Sequence, residues 1–198
     1  MCETDMPRLI QIPILHSSVD MGSQGAAYKA AFIAQYGAQK WEERVRDYDA
    51  IWRAIEDALD ALRLDMRQVK LYQDSLPVCG READLVHTLA ALGSRNHALL
   101  ERLTSAGATL VGSESAELLL EEYRLLGAGG GEQAESLLDR RDRFIAARIA
   151  ETLGPTQIGL LFIGALHDPG KYLPSDIISE PLVIHAPPTF FSSKEHPR

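Results

Sequence analysis

Residues 160–170 read LLFIGALHDPG. With Ile158 and Gly159 ahead of them they begin as a short apolar run, 158–163, and end in Gly-Ala-Leu-His-Asp. A run of that length, bounded by Gly154-Pro155 on one side and Gly164 on the other, predicts the most buried strand of a sheet. The imidazole of His167 and the carboxylate of Asp168 then stand side by side at its tip.

Outward from that strand, short apolar runs alternate with long amphipathic ones. Residues 132–153 predict a helix ended by Gly154-Pro155. Residues 116–126 predict another, and GAGGGE from Gly127 is a flexible joint too short to separate domains. Residues 109–112 and 69–73 predict strands, the latter broken by Asp74, Ser75 and Pro77. Between them, 82–106 predicts an amphipathic helix that Gly93 could interrupt, with Leu85, Leu89, Leu92, Leu99, Leu100 and Leu103 inward and Gly107 as its cap. Residues 41–64 predict a long helix whose buried face carries Val45, Tyr48, Ile51, Ile55, Leu59 and Leu62. Residues 25–37 are helical, and 9–15 (LIQIPIL) are a first strand with Pro13 marking a bulge or the strand's end. Residues 182–185 predict a last strand near a sheet edge, and 1–7 and 187–198 read as loose termini. The alternation predicts a single α/β domain over 1–198: a largely parallel sheet of about four or five strands flanked by helices, with a helical elaboration.

Composition limits the functional classes. Of 198 residues, 45% are hydrophobic and 24% charged, the profile of a soluble globular chain. A net charge of −8 disfavours a broad grip on nucleic acid phosphates. Cys2 and Cys79 are the only cysteines, which suits a reducing, cytoplasmic setting. The acidic start MCETD lacks the form of a signal peptide, and no apolar run reaches the roughly 20 residues that cross a bilayer.

Ligands of open parallel α/β sheets bind beyond the carboxyl ends of the strands. The predicted strands run into His16 and Asp20; Tyr72, Gln73 and Asp74; Ser113 and Glu114; and His167 and Asp168. In a parallel sheet these tips share one rim, so imidazoles and carboxylates converge there. Some of these residues have simpler uses. Asp20 or Ser23 would cap the helix near residue 25, and Glu114 would favour the first turn of the helix at 116.

DRRDRFIAARIAETL, residues 139–153, adds a charge to an apolar stripe. Arg141 lies four residues before Ile145 and Asp142 four after Leu138, on or beside the inward face. A buried cation needs a carboxylate partner or a polar cavity, and the strand-tip site holds candidates, notably Glu114 and Asp142; an Arg141–Asp142 pair or a snorkelling arginine would be purely structural. His87 and His97 read as surface or boundary residues. His185 could line the site from outside, and Cys79 reads as a small buried thiol. No P-loop, dinucleotide fingerprint, Gly-x-Ser-x-Gly elbow or zinc-finger spacing occurs.

Four short segments, PILH (13–16), LVGSE (110–114), RRDRFIAARI (140–149) and GALH (164–167), resemble a family pattern. The TraB/Tiki proteins, and more distantly the ChaN-like and erythromycin-esterase-like proteins, carry Gly-x-x-His at strand ends, a Glu after a middle strand, and an Arg-Asp or Arg-Asn pair opening a late helix. Here His167 closes the later Gly-x-x-His, Glu114 matches the Glu, and Arg141 and Asp142 match the pair. His16 matches the first motif, with Pro13 where Gly is expected. The resemblance implies a two-lobed α/β fold with a cleft at the strand tips rich in His and Glu. Members include metal-dependent peptidases, an esterase and a haem-binding lipoprotein, so activity does not follow from the fold.

Two functional expectations result. The first is a hydrolase of an ester, amide or phosphoester, acting on a small-molecule or peptide substrate. His16, Glu114 and His167 would hold a divalent metal such as Mn, Zn, Fe or Co. Without metal, His16 or His167 would act as general base, oriented by Glu114. Arg141 would stabilise developing negative charge, and Asp142 or Asp168 would hold a ring N–H. Asp20, Tyr72, Gln73, Asp74, Asp142 and Asp168 would face the substrate. The second is a protein that binds a small ligand or metal complex in the same pocket without turnover. Separately, the long helix over 41–64 offers a surface for a homodimer or another partner.

Overall fold

The computed structural model describes residues 6–14, 19–20, 25–126 and 131–184. Among them the strands are β1 (Arg8–Ile14), β2 (Val69–Gln73), β3 (Thr109–Val111), β4 (Ile158–Gly164) and β5 (Ile178–Pro181). The helices are α1 (Gly25–Tyr36), α2 (Ala38–Ala61), α3 (Glu82–Ala91), α4 (Arg95–Ser105), α5 (Ala116–Leu126) and α6 (Gly131–Thr152). The strands form one all-parallel sheet in the order β3-β2-β4-β1-β5, so the α/β class expected from the alternation is the observed one. The apolar run at 158–163 lies at its centre, paired with β1 on one side and β2 on the other.

Burial on both faces explains why β4 lacks an alternating pattern. Along β2 the alternation is visible. Val69 and Leu71 point into a cluster with Trp52, Ile55 and Leu59 of α2 and Leu99, Leu100 and Leu103 of α4. Tyr72 points to the other face, against Ile145 and Ile149 of α6. Each such fully buried large side chain contributes about 1.5–3 kcal/mol. The topology follows from handedness. The chain moves one way along the sheet from β1 to β2 to β3, with α2 and α4 on one face. It returns from β3 to β4 through α5 and α6 on the other, as right-handed crossovers require. The chain therefore leaves β2 toward α3 but leaves β3 and β4 toward the α6 side, and the tips of these three neighbouring strands face a shared space.

Several boundaries differ from the sequence reading. The helix expected over 82–106 is two helices, because Gly93 adopts φ +96° and Ser94 restarts the backbone as the N-cap of α4. Leu85 and Leu92, expected inward, are exposed, and Val86 is the buried residue of α3. The long helix begins and ends earlier, at Ala38 and Ala61, and Val45 and Leu62 lie outside its buried face. Among the described residues the last strand is 178–181, and 182–184 of the expected 182–185 are not in a strand. It is an edge strand held to β1 by polar pairs, Gln11 to Ser179 and Arg8 to Glu180, which an apolar pattern cannot reveal. Pro13 continues β1 without a bulge, paired with Ile163. Gln11 carbonyl accepts from Leu182 N–H toward the β5 side, and Pro13 faces the same way two residues on, past the end of β5, where a missing N–H costs no ladder bond.

Candidate functional site

The tips of β2 and β3 are stitched together beyond their ladders. Ser113 Oγ donates to Gln73 O at 2.6 Å and accepts from Gln73 N–H at 3.1 Å. Glu114 N–H donates to Leu76 O at 3.0 Å, and Val78 N–H donates to Glu114 O at 2.9 Å. Gly112 permits this approach. A Cβ there would lie 2.8 Å from Val78 Cα and 2.9 Å from Pro77 O, both backbone atoms that cannot rotate aside. Gly112→Ala should therefore destabilise the protein by about 1–3 kcal/mol. Urea denaturation checks this, and an unchanged midpoint would mean the two tips are not held this tightly. The stitching fixes Glu114, which is fully buried.

Arg141 comes to Glu114 from α6. Leu137, Arg141, Ile145 and Ile149 recur every four residues on the buried stripe, so the helix carries the guanidinium inward with its apolar neighbours. Arg141 Nη2 donates to Glu114 Oε1 at 2.6 Å and to Asp74 Oδ1 at 2.8 Å, while Nη1 donates to Glu122 Oε1 at 2.5 Å. Nε adds a long bond to Glu114 Oε2 at 3.4 Å. Burial works against the charged form of Arg141, but Glu114, Asp74 and Glu122 outweigh it and raise its pKa further. Burial pushes the Glu114 carboxyl above its ordinary value, and Arg141 pulls back only part of that. The partner expected at Asp142 is not used: Arg141 and Asp142 are chain neighbours that serve different groups.

Asp142 serves His167. The ring hangs from the turn after β4, closed by His167 N–H to Gly164 O at 3.1 Å. Its Nδ1 meets Asp142 Oδ1 at 2.6 Å, and the other Asp142 oxygen accepts Asp168 N–H at 2.9 Å. Nε2 lies 3.6 Å from Asp74 Oδ1, and Asp74 Oδ2 accepts Gly164 N–H at 3.2 Å. Burial lowers the imidazole pKa, but the hydrogen bond to Asp142 and the charge of Asp74 more than offset it, leaving the ring above its ordinary value. Asp74, Glu114 and His167 each offer one donor atom within 4.8 Å of the others, a span that one cation could bridge.

Thus Asp74, Glu114, Arg141, Asp142 and His167 converge. Other expected site residues do not. Tyr72 turns to the α6 core, where its hydroxyl meets Thr152 Oγ1 at 2.9 Å. Gln73 is buried beside Asp74, donating to Asp74 O at 2.9 Å, and its Oε1 has no partner. The Asp168 side chain is exposed and lies 3.6 Å from Lys171, so its backbone rather than its carboxylate reaches Asp142. Asp20 bonds Ser94 Oγ and lies 3.5 Å from His97 Nδ1, at the start of α4. His97 is accordingly buried, not a surface residue, whereas His87 is exposed on Glu101. Cys79 is exposed, contrary to the expected buried thiol. His16 and His185 lie outside the described residues. Glu122 escaped the sequence reading, since an exposed-looking glutamate on one helix gives no sign of an arginine nineteen residues later on the next. Among the described residues, no helix is long and apolar enough to cross a membrane. No protein-family model, curated protein or solved structure matches the chain.

Proposed function

We propose that the protein is a hydrolase of an ester, amide or phosphoester in which His167 handles the proton. The observation that supports this reading is the Asp142–His167 pair at 2.6 Å, with the opposite ring nitrogen turned toward Asp74 and its buried neighbours. A carboxylate on Nδ1 fixes the tautomer and leaves Nε2 as the working atom. Nε2 takes a proton from the attacking water, the hydroxyl adds to the carbonyl or phosphoryl centre, and the ring returns the proton to the departing oxygen or nitrogen. Arg141, committed to three carboxylates, is a positioning residue in this scheme rather than a donor to the substrate.

In a metal-dependent form of this reading His167 would be a ligand and not the base: two carboxylates and an imidazole, from Asp74, Glu114 and His167, fit a divalent cation such as Mn, Zn, Fe or Co. When bound, such an ion would acidify water and polarise the scissile group. Asp142 on the far ring nitrogen matches the usual support of a metal-binding histidine. Asp74 joins this set on its spacing to the other two.

Protein purified without a His tag should contain a stoichiometric divalent metal, or should turn over members of an ester, amide and phosphoester panel. His167→Ala should abolish both. Folded protein with neither metal nor turnover would remove the proposal. A co-purified small molecule without turnover would instead favour the binding-only reading.

A further inference from the structure

His167 is tethered on one side only by a two-residue turn, Ala165 and Leu166, both exposed, with Leu166 83% accessible. Packing upstream therefore does little to fix the ring. Downstream, a short 3-10 turn at Pro169–Tyr172 lies against α6 with Pro169 buried. There the Tyr172 hydroxyl donates to Asp139 Oδ1. Arg143 sits 4.2 Å from the centre of the Tyr172 ring and donates to Asp139 Oδ2 at 3.0 Å. Asp139, Asp142 and Arg143 are three and four residues apart, so one face of α6 holds both ends of the segment that carries His167.

We propose that Tyr172, Asp139 and Arg143 form a clamp that positions His167, keeping its loop seated so that Nδ1 and the Asp168 N–H stay on Asp142. Rotation of a phenol hydroxyl onto a carboxylate is directional, and a guanidinium stacked on the ring restrains the same side chain from a second direction. One exposed ion pair would do little alone. The three groups act on a single ring, and that ring is joined through a four-residue turn to the residues touching Asp142. The mutual influence runs both ways: Tyr172 and then Arg143 hold the Asp139 carboxyl below its ordinary value, while Asp139 raises the Tyr172 phenol. What the clamp contributes to catalysis rests on the hydrolase reading; its hold on the loop does not.

Amide hydrogen exchange tests the clamp on the free, full-length protein. The reporter is the Asp168 N–H, bonded to Asp142 Oδ2 at 2.9 Å. Tyr172→Phe and Asp139→Asn should each speed its exchange on the order of fivefold. Tyr172→Ala, which also removes the stacking surface, should speed it more, on the order of tenfold. Amides of Leu161 and Phe162 in β4 should keep their rates. Unchanged Asp168 exchange in all three variants overturns the clamp, and so does a rise matched by β4, which would mark general destabilisation. If substrate is turned over, Tyr172→Phe should lower kcat with KM nearly constant. A wild type without turnover leaves the exchange result decisive, so the clamp and the hydrolase reading fail separately.

Discussion

Arg141→Leu should cost about 3–5 kcal/mol of stability, because it leaves carboxylates buried without their cation. For a chain of this size that is a fall in Tm of roughly 6–20 °C. Glu114 is fully buried, and Asp74 nearly so, and both bond the same Nη2. Glu122 is partly exposed and can turn to water, so it adds little to the loss. Arg141→Lys should recover only part of it, since an ammonium cannot reproduce the fork in which Nε and Nη2 hold Glu114 while Nη1 reaches Glu122. The loss should shrink toward acid pH, where Glu114 takes up a proton readily, given its raised pKa. Thermal and urea denaturation at two pH values measure all of this. A variant within 1 kcal/mol of wild type would show that water, not Arg141, satisfies these carboxylates.

On the proposed hydrolase reading, Asp142→Asn should lower turnover about 10²- to 10⁴-fold with little change in fold. The carboxylate accepts from two groups at once, His167 Nδ1 and the Asp168 N–H. An amide has one acceptor oxygen. Turned to the ring, it faces Asp168 N–H with its own N–H₂; turned to Asp168, it donates to Nδ1 and forces the wrong tautomer. The same variant changes the pH dependence. A raised folded pKa means that protonation of His167 favours the folded state. That contribution is complete below about pH 6.5 and is lost as pH rises through the elevated value. Because Asp142 provides the larger of the attractions that raise it, Asp142→Asn should move the loss to lower pH and shift the acid limb of the rate profile with it. Urea midpoints and rates across pH in both proteins check this, and superimposable profiles would mean His167 is not the titrating group.

Much of the fold was legible because its signals are local. The β2 residues 69–73 coincide with the observed strand, since Asp74, Ser75 and Pro77 end it within a few bonds. Gly154-Pro155 places the end of α6 in the same way. Tyr72 misled, because a strand-end position does not say which face the side chain takes; period-two alternation sends it to the α6 core, and Asp74, two residues on, reaches the cluster instead. His97 was hidden for a different reason. Its burial depends on Ser94 and on Asp20, which lies on a segment seventy-seven residues earlier.

By itself, then, the order of residues determined where strands and helices alternate, that the sheet is parallel, and that acids and an imidazole stand at strand tips. These are properties of nearby residues: periodicity, breakers and the direction a strand must run between helices. Which charge meets which was decided only by tertiary packing. Arg141 and Asp142 are adjacent in the chain, yet the α6 surface turns one toward Glu114 and Asp74 and the other toward His167. A helix rotates about 100° per residue, and only the position of the sheet beneath it says what each side chain finds there.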